Sequence, residues 1–184
     1  MKPGAKIVTD RTNEVARALA ALVGTRLGVG WPASSAERGD GEMNNPTLAY
    51  IHENGSPAAN IPARPALGMT IKRMQGQIND ALKRSGKAAL NGDTAEAEAQ
   101  LQRLGQKVAD GVRATIADGI PPPLKASTLR RRQSSRRSGR KEAAAELASR
   151  AAGNAPGVGL AKPLFFSGAY AHAVSFVLRR AFKG

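Results

Sequence analysis

Residues 93–123 constrain the fold more than any other part of the chain. Asp93 can accept free amides as a helix N-cap, and Glu96 stands at the third helical position, a capping-box arrangement. Leu101, Leu104, Val108, Val112 and Ile116 then recur at the spacing of one helical face. Gly119 and the run Pro121-Pro122-Pro123 stop the pattern. A long helix with one apolar face has to bury that face against other elements.

Two further helices are expected. Thr70 can cap one in which Ile71, Met74, Ile78 and Leu82 form the stripe, ending near Gly86. Thr9 or Asp10 can cap another, with Val15, Leu19, Leu22 and Val23 at helical spacing and Gly24 at its exit.

Strand signals are shorter. Residues 25–31 alternate apolar with polar or glycine residues up to Pro32, as a half-buried strand does. Residues 47–52 read as a second strand closing at Asn54-Gly55. If the two pair, the polar arm loop at 33–46 makes them an extended hairpin arm. The prolines of residues 58–65 favour an extended, hydrogen-bond-poor segment. Residues 122–160 read as a basic flexible insertion: a solvated loop crowded with arginine, a short Ala-rich helix at 142–150 and a Gly-rich joint at 153–159. Residues 161–184 hold a terminal strand, centred on 173–178. The order is helix, two strands, two helices, basic loop, strand. The expected fold class is therefore α+β: one domain over 1–184, with a small antiparallel sheet carrying two or three helices on one face.

Composition narrows the function. The 184 residues carry a formal charge of +14, which implies contact with something acidic: nucleic acid, an anionic surface or an acidic protein face. Aromatics are only 4%, and Ala and Gly supply much of the apolar count, so the core should be thin. With no cysteine, disulfides and thiolate metal sites are excluded. No secretory signal and no apolar run of membrane-spanning length is visible, so the expected setting is a cytoplasm or an assembled particle, with no membrane partner.

No catalytic constellation stands out. His52 and His172 are the only histidines and lie far apart in sequence, and a metal site needs three or four convergent ligands. Ser167 lacks the glycine pattern of a nucleophile elbow, and Gly28-Val29-Gly30 is followed by no Lys-Ser/Thr. The expectation is a non-enzyme without cofactor or metal. Glu53, beside Asn54-Gly55, reads as a turn-stabilising or intersubunit carboxylate. Trp31, Tyr50, Phe165, Phe166, Tyr170 and Phe176 read as core or interface anchors.

Four short segments resemble a known group. Tyr50-Ile51-His52-Glu53-Asn54-Gly55 followed by Ile61-Pro62-Ala63-Arg64-Pro65 is similar to "A-x-x-x-E-x-G" and "I-P-x-R-P-F" in phage neck and tail-completion proteins, also labelled virion morphogenesis or head–tail joining proteins. Gly119 stands where their long helix ends, Pro123-Leu124 through Thr128-Leu129 to Arg132 matches their "P-L-x-x-x-T-L-x-x-R", and Pro163-Leu164 through Ser167-Gly168 to Tyr170 matches their closing turn. Two departures are Ala66, where an aromatic is usual, and Phe166-Ser167-Gly168 in place of Asp-Thr-Gly.

The resemblance implies a ring-forming virion subunit, commonly a hexamer, at the neck or tail end, contacting tail tube and head connector. Its expected interface comprises Tyr50, Ile51, Glu53, Ile61, Pro62, Arg64, Pro65, Phe165, Phe166 and Tyr170. Arg130, Arg131, Arg132, Arg136, Arg137, Arg140 and Lys141 would meet packaged DNA or an acidic neighbour. With no aromatic interleaved, any DNA contact would be to phosphates. The alternative is a basic nucleic-acid-binding protein of architectural or packaging type.

Overall fold

A computed structural model describes residues 10–33, 43–135, 139–165 and 168–180. The elements are α1 (Thr12–Val23), β1 (Thr25–Gly30), α2 (Asn45–Asn54), α3 (Ala66–Leu90), α4 (Thr94–Asp118), α5 (Ala126–Ser134), α6 (Arg140–Ala151), the single turn α7 (Ala169–His172) and β2 (Ser175–Arg180). The fold is α+β in the broad sense, helix-rich with a two-stranded antiparallel sheet.

The α4 helix follows from its cap and stripe. Asp93 accepts the Glu96 amide at 2.9 Å, and all five predicted apolar positions are buried. Only half of the capping box forms, because the Glu96 carboxylate takes Gln100 and Arg103 instead of reaching back. At the other end Gly119 holds a φ of 89°, and a Cβ there would come within 2.9 Å of the Val158 carbonyl oxygen, so glycine is required.

Against α4 runs α3, longer than its stripe predicted at both ends. Thr70 is not its cap but an interior, fully buried residue bonded to Ala66 O and Thr115 Oγ1, each at 2.8 Å. Gly86 does not end it, and the chain turns only at Gly92, with φ 86°. Its buried positions are Ala66, Thr70, Met74, Ala81, Ser85 and Ala89. Small residues at near four-residue spacing let the two helices approach closely. A Cβ on Gly111 of α4 would come within 2.7 Å of Met74 Sδ. Ile71 and Leu82, expected on the buried stripe, are exposed.

The expected arm does not form. Residues 47–52 belong to α2, whose N-cap Asn44 accepts the Thr47 amide at 2.8 Å and whose first turn holds Pro46. Six residues of alternation fit a helix as well as a strand; capping and the burial of Asn45 and Ala49, four apart, decide for the helix. β1 pairs instead with β2, in the register Leu27↔Leu178 and Val29↔Phe176. That register sets these apolar residues on one face. Phe176 and Leu27 pack over Gly105 of α4, where a Cβ would sit 2.5 Å from the Phe176 ring. A two-stranded ribbon is marginal alone, and α4 underlies both strands. The terminal strand begins at Ser175 rather than at 173, after the α7 turn.

The main core gathers Ala49, Ala66, Ala109, Val112, Ile116, Ile120, Tyr170, Ala171 and Val174. Its alanine content is the thin core that the composition implies.

Candidate interface and basic helical hairpin

The segment joining α2 to α3 is held by side chains of the first resembling motif. Glu53 reaches across to the start of α3 and accepts the Gly68 amide at 2.6 Å and the Leu67 amide at 3.2 Å. A carboxylate there satisfies otherwise orphaned amides and complements the helix dipole. This is the turn-stabilising role, made by a helix-capping contact from a neighbouring element. Gly55, at φ 78°, turns the chain where a Cβ would lie 2.9 Å from Ala63 N. Ser56 and Ile61 then exchange two backbone bonds. Pro62 and Pro65 are half-buried, with Pro65 directly preceding α3. The segment is thus the connector into the helix, and its Arg64 amide donates to His52 O at 2.6 Å.

The Arg64 side chain points inward and is only 6% exposed. Its Nη2 donates to Pro122 O at 2.8 Å, while Nε, also buried, has no hydrogen-bond partner among the described residues. Burial holds this guanidinium below its usual pKa. Arg132 of α5 is half-buried, donates to Lys162 O at 3.0 Å, and is lowered in the same direction, first by burial and then by the charges of Arg64 and Arg131.

The closing motif meets the first one as well. Tyr170 is buried, stacks on Trp31 at 4.7 Å between ring centroids and packs edge-on against His52 at 5.5 Å. Trp31 Nε1 donates to Tyr170 O at 2.8 Å. Aromatics therefore do cluster between strand and helices, although Phe176 sits apart, over Gly105. Gly168, at φ 76°, takes the left-handed conformation that glycine adopts without steric cost.

Within the basic insertion the Ala-rich helix expected at 142–150 is present as α6, but the arginine-rich stretch before it is helix α5 rather than a solvated loop. α5 and α6 form a helical hairpin around Leu124, Leu129, Ala143 and Ala161, with Leu147 packed alongside. Leu129 and Ala143 are wholly buried, and these few apolar side chains suffice to order an Arg-rich segment. Glu146, 3% exposed, accepts from Arg150 Nε at 2.9 Å and from the Gly157 amide at 3.0 Å. Burial acts to raise the Glu146 pKa, but the Gly157 amide and Arg150 together outweigh it and hold the carboxyl below its ordinary value. The Gly157 bond also ties the Gly-rich joint to α6.

Of the expected basic contacts, Arg130, Arg131, Arg140 and Lys141 are exposed; Arg136 and Arg137 lie outside the described residues. Of the expected interface, Tyr50 is 71% and Phe165 41% exposed. Ile51 and Ile61 are half-buried, Glu53 is taken up by its cap, Arg64 and Tyr170 face inward, and Phe166 lies outside the described residues. The burial of Arg64, the half-burial of Arg132 and the buried Glu146 are not among the features the sequence predicts. For Glu146 a signal existed in its spacing to Arg150, four residues on; for the two arginines none did.

Among the described residues no group of three or more His, Cys, Asp or Glu could hold a metal ion, and no helix is long and apolar enough to cross a membrane. A depression of about 490 Å³ beside the α3–α4 turn is lined by Arg84, Lys87, Ala88, Asn91 and Asp93, and the Asp93 carboxylate is occupied by its cap. Compared with family profiles, curated proteins and solved structures, the chain matches none.

Proposed function

We propose that the chain is a non-enzymatic virion subunit of a tailed bacteriophage, forming a homo-oligomeric ring that completes the tail or joins it to the head connector. One observation supports this reading above the others. The segments that resemble the neck and tail-completion family, far apart in sequence, lie close in space: His52 packs on Tyr170, Arg64 bonds to Pro122, the residue before the second segment, and Arg132 to Lys162, the residue before the closing one. Short motifs that converge on one scaffold are more informative than the same motifs scattered.

The mechanism is geometric. β1 and β2 pair only with each other among the described residues, so each strand has an outer edge that a neighbouring copy can extend. Head-to-tail addition of that kind closes into a ring when the rotation per subunit divides a full turn. Tyr50 and Phe165 are the exposed anchors for such a contact. The finer architecture, with helices gathered on one face of the sheet, belongs to this reading: a sheet backed by helices keeps its other face for a lumen or a neighbour.

The second reading, nucleic-acid binding of architectural or packaging type, is favoured by the exposed Arg130, Arg131, Arg140 and Lys141 on the α5–α6 hairpin. Negative-stain microscopy of a lysate made without this protein separates the two. Filled heads lying apart from tails, or tails of irregular length, are expected. Intact virions would overturn the structural role, and empty heads would favour DNA handling.

A further inference from the structure

The two-stranded sheet has two unlike faces. Leu27 and Phe176 pack down on α4, so strand alternation sends Arg26, Gly28 and Gly30 of β1 and Ser175, Val177 and Arg179 of β2 to the other side. Arg26 and Arg179 are exposed and stand directly opposite each other across the ladder. Neither makes an ion pair or a side-chain hydrogen bond among the described residues. Like charges in that position oppose each other, and a carboxylate set beside them turns the repulsion into attraction.

The rest of this face is low and open. A Cβ on Gly30 would meet nothing within 4 Å, and one on Gly28 only the Val177 carbonyl oxygen at 3.8 Å. Val177, 37% exposed, is the one apolar side chain of the sheet that stands out to this extent. The main neighbours of β2 are α4 beneath it and β1 beside it, whereas β1 is also flanked by α1, which leads into it. Among the described residues the outer edge of β2 therefore has no strand beside it and can take one. Arg179 is the charged residue that an added strand would meet on the outer face.

We infer that the β2 edge binds an extended acidic segment of another protein, whose backbone continues the sheet and whose carboxylate lies beside the Arg26–Arg179 pair. The segment would alternate apolar residues, beside Phe176 and Leu178, with Asp or Glu beside Arg179. A polypeptide fits this place better than a nucleic acid for two reasons. A strand edge offers backbone donors and acceptors in a row, which another backbone matches. Phosphate binding draws on many contacts, while this face supplies two cations and otherwise glycine, serine and valine. The partner is thus different in kind from the phosphates considered for α5–α6, and the site stands whether or not the phage reading does.

The test uses the full chain at physiological ionic strength and a labelled, end-capped peptide of about eight residues in which valine and glutamate alternate. Fluorescence anisotropy follows binding. One comparison peptide carries glutamine for glutamate, and another has proline at alternate valines, which removes ladder donors. The glutamate peptide should bind at least about fivefold more tightly than either. Arg26→Gln with Arg179→Gln should weaken it by about fivefold to tenfold. Lys72→Gln with Lys83→Gln removes as much charge from exposed positions on α3 and should weaken it by less than about twofold. The arginine double variant should unfold at no lower a temperature than wild type, because it relieves the opposed charges, so that lost binding is not lost fold. Equal weakening by the two double variants would overturn the site. So would a glutamate peptide with no advantage, including one shut out because a second copy already fills the edge. A DNA duplex that displaces the peptide and is itself weakened as much in R26Q/R179Q would assign the face to nucleic acid and overturn the inference as well.

Discussion

Two helical hairpins in this molecule solve the same problem by different means. α3 and α4 are long, and they close on each other through alanine, glycine, serine and threonine, with Thr70 and Thr115 sharing a hydrogen bond across the seam. Their stability comes from close approach over many turns and from the sheet laid on α4. α5 and α6 are short and rich in arginine, with a core of a few side chains and a buried Glu146–Arg150 pair. The first is a scaffold held by packing. The second is a small folded appendage held by a handful of groups, and it should open at lower free energy.

The sharpest way to break that comparison is to remove one fully buried side chain from each hairpin. Ile116→Ala should destabilise the whole molecule by about 2–5 kcal/mol, read as a single shift in the urea midpoint. Leu129→Ala removes a comparable side chain, yet hydrogen exchange should show α5 and α6 losing protection while α4 and the sheet keep theirs. Loss of protection throughout would mean that the two hairpins fold as one unit.

Gly105→Ala probes the scaffold from the opposite direction. The added methyl meets the Phe176 ring and Leu27, and overpacking of this kind costs about 1–3 kcal/mol despite the better helix propensity of alanine. Thermal unfolding measures it, and a gain in stability would mean that the sheet sits less tightly on α4 than described.

Glu146→Gln tests the appendage, with an expected loss of about 1–3 kcal/mol in its local opening energy at neutral pH. The sign with pH follows from the depressed carboxyl. Its folded-state pKa lies below the unfolded one, so its stabilisation is fully present above the unfolded value and is lost as pH falls through the folded value. Acid should therefore weaken α5–α6 in the wild type, and the acid limb should be flatter in E146Q. The smallest expected effect on stability, within about 0.5 kcal/mol, is that of Arg130→Ala with Arg131→Ala, both exposed. If phosphates are their target, the same pair lowers the salt slope of DNA binding by about two.

How much of this was legible in the sequence differs along the same division. α4 announced itself because a cap, a five-residue stripe and a Gly-Pro stop all agree, and local chemistry alone decides each of them. α2 carries conflicting signals: Asn44 and Pro46 are a helix start, while the alternation from 47 to 52 points to a strand, and the cap prevails. In the basic insertion the Ala-rich run of α6 is legible, whereas α5 is not, because its arginines outnumber Leu129, the one side chain of that helix that is buried. The β1–β2 pairing and the burial of Arg64 could not be read at all. Each depends on a partner far along the chain, Ser175–Arg180 in one case and the Pro122 carbonyl in the other.

The β1–β2 pairing also has a consequence for the order in which the molecule comes into being. Synthesis delivers β1 early and β2 last among the described elements, so the sheet has to wait for nearly all of them to emerge. Until then the Gly105 face of α4 lacks the Phe176 ring that will cover it, and β1 has both edges open. A nascent chain with α3 and α4 already folded thus leaves that face of α4 uncovered until β2 is made. Premature association between unfinished copies is the hazard of this period, and the arrival of β2 ends it.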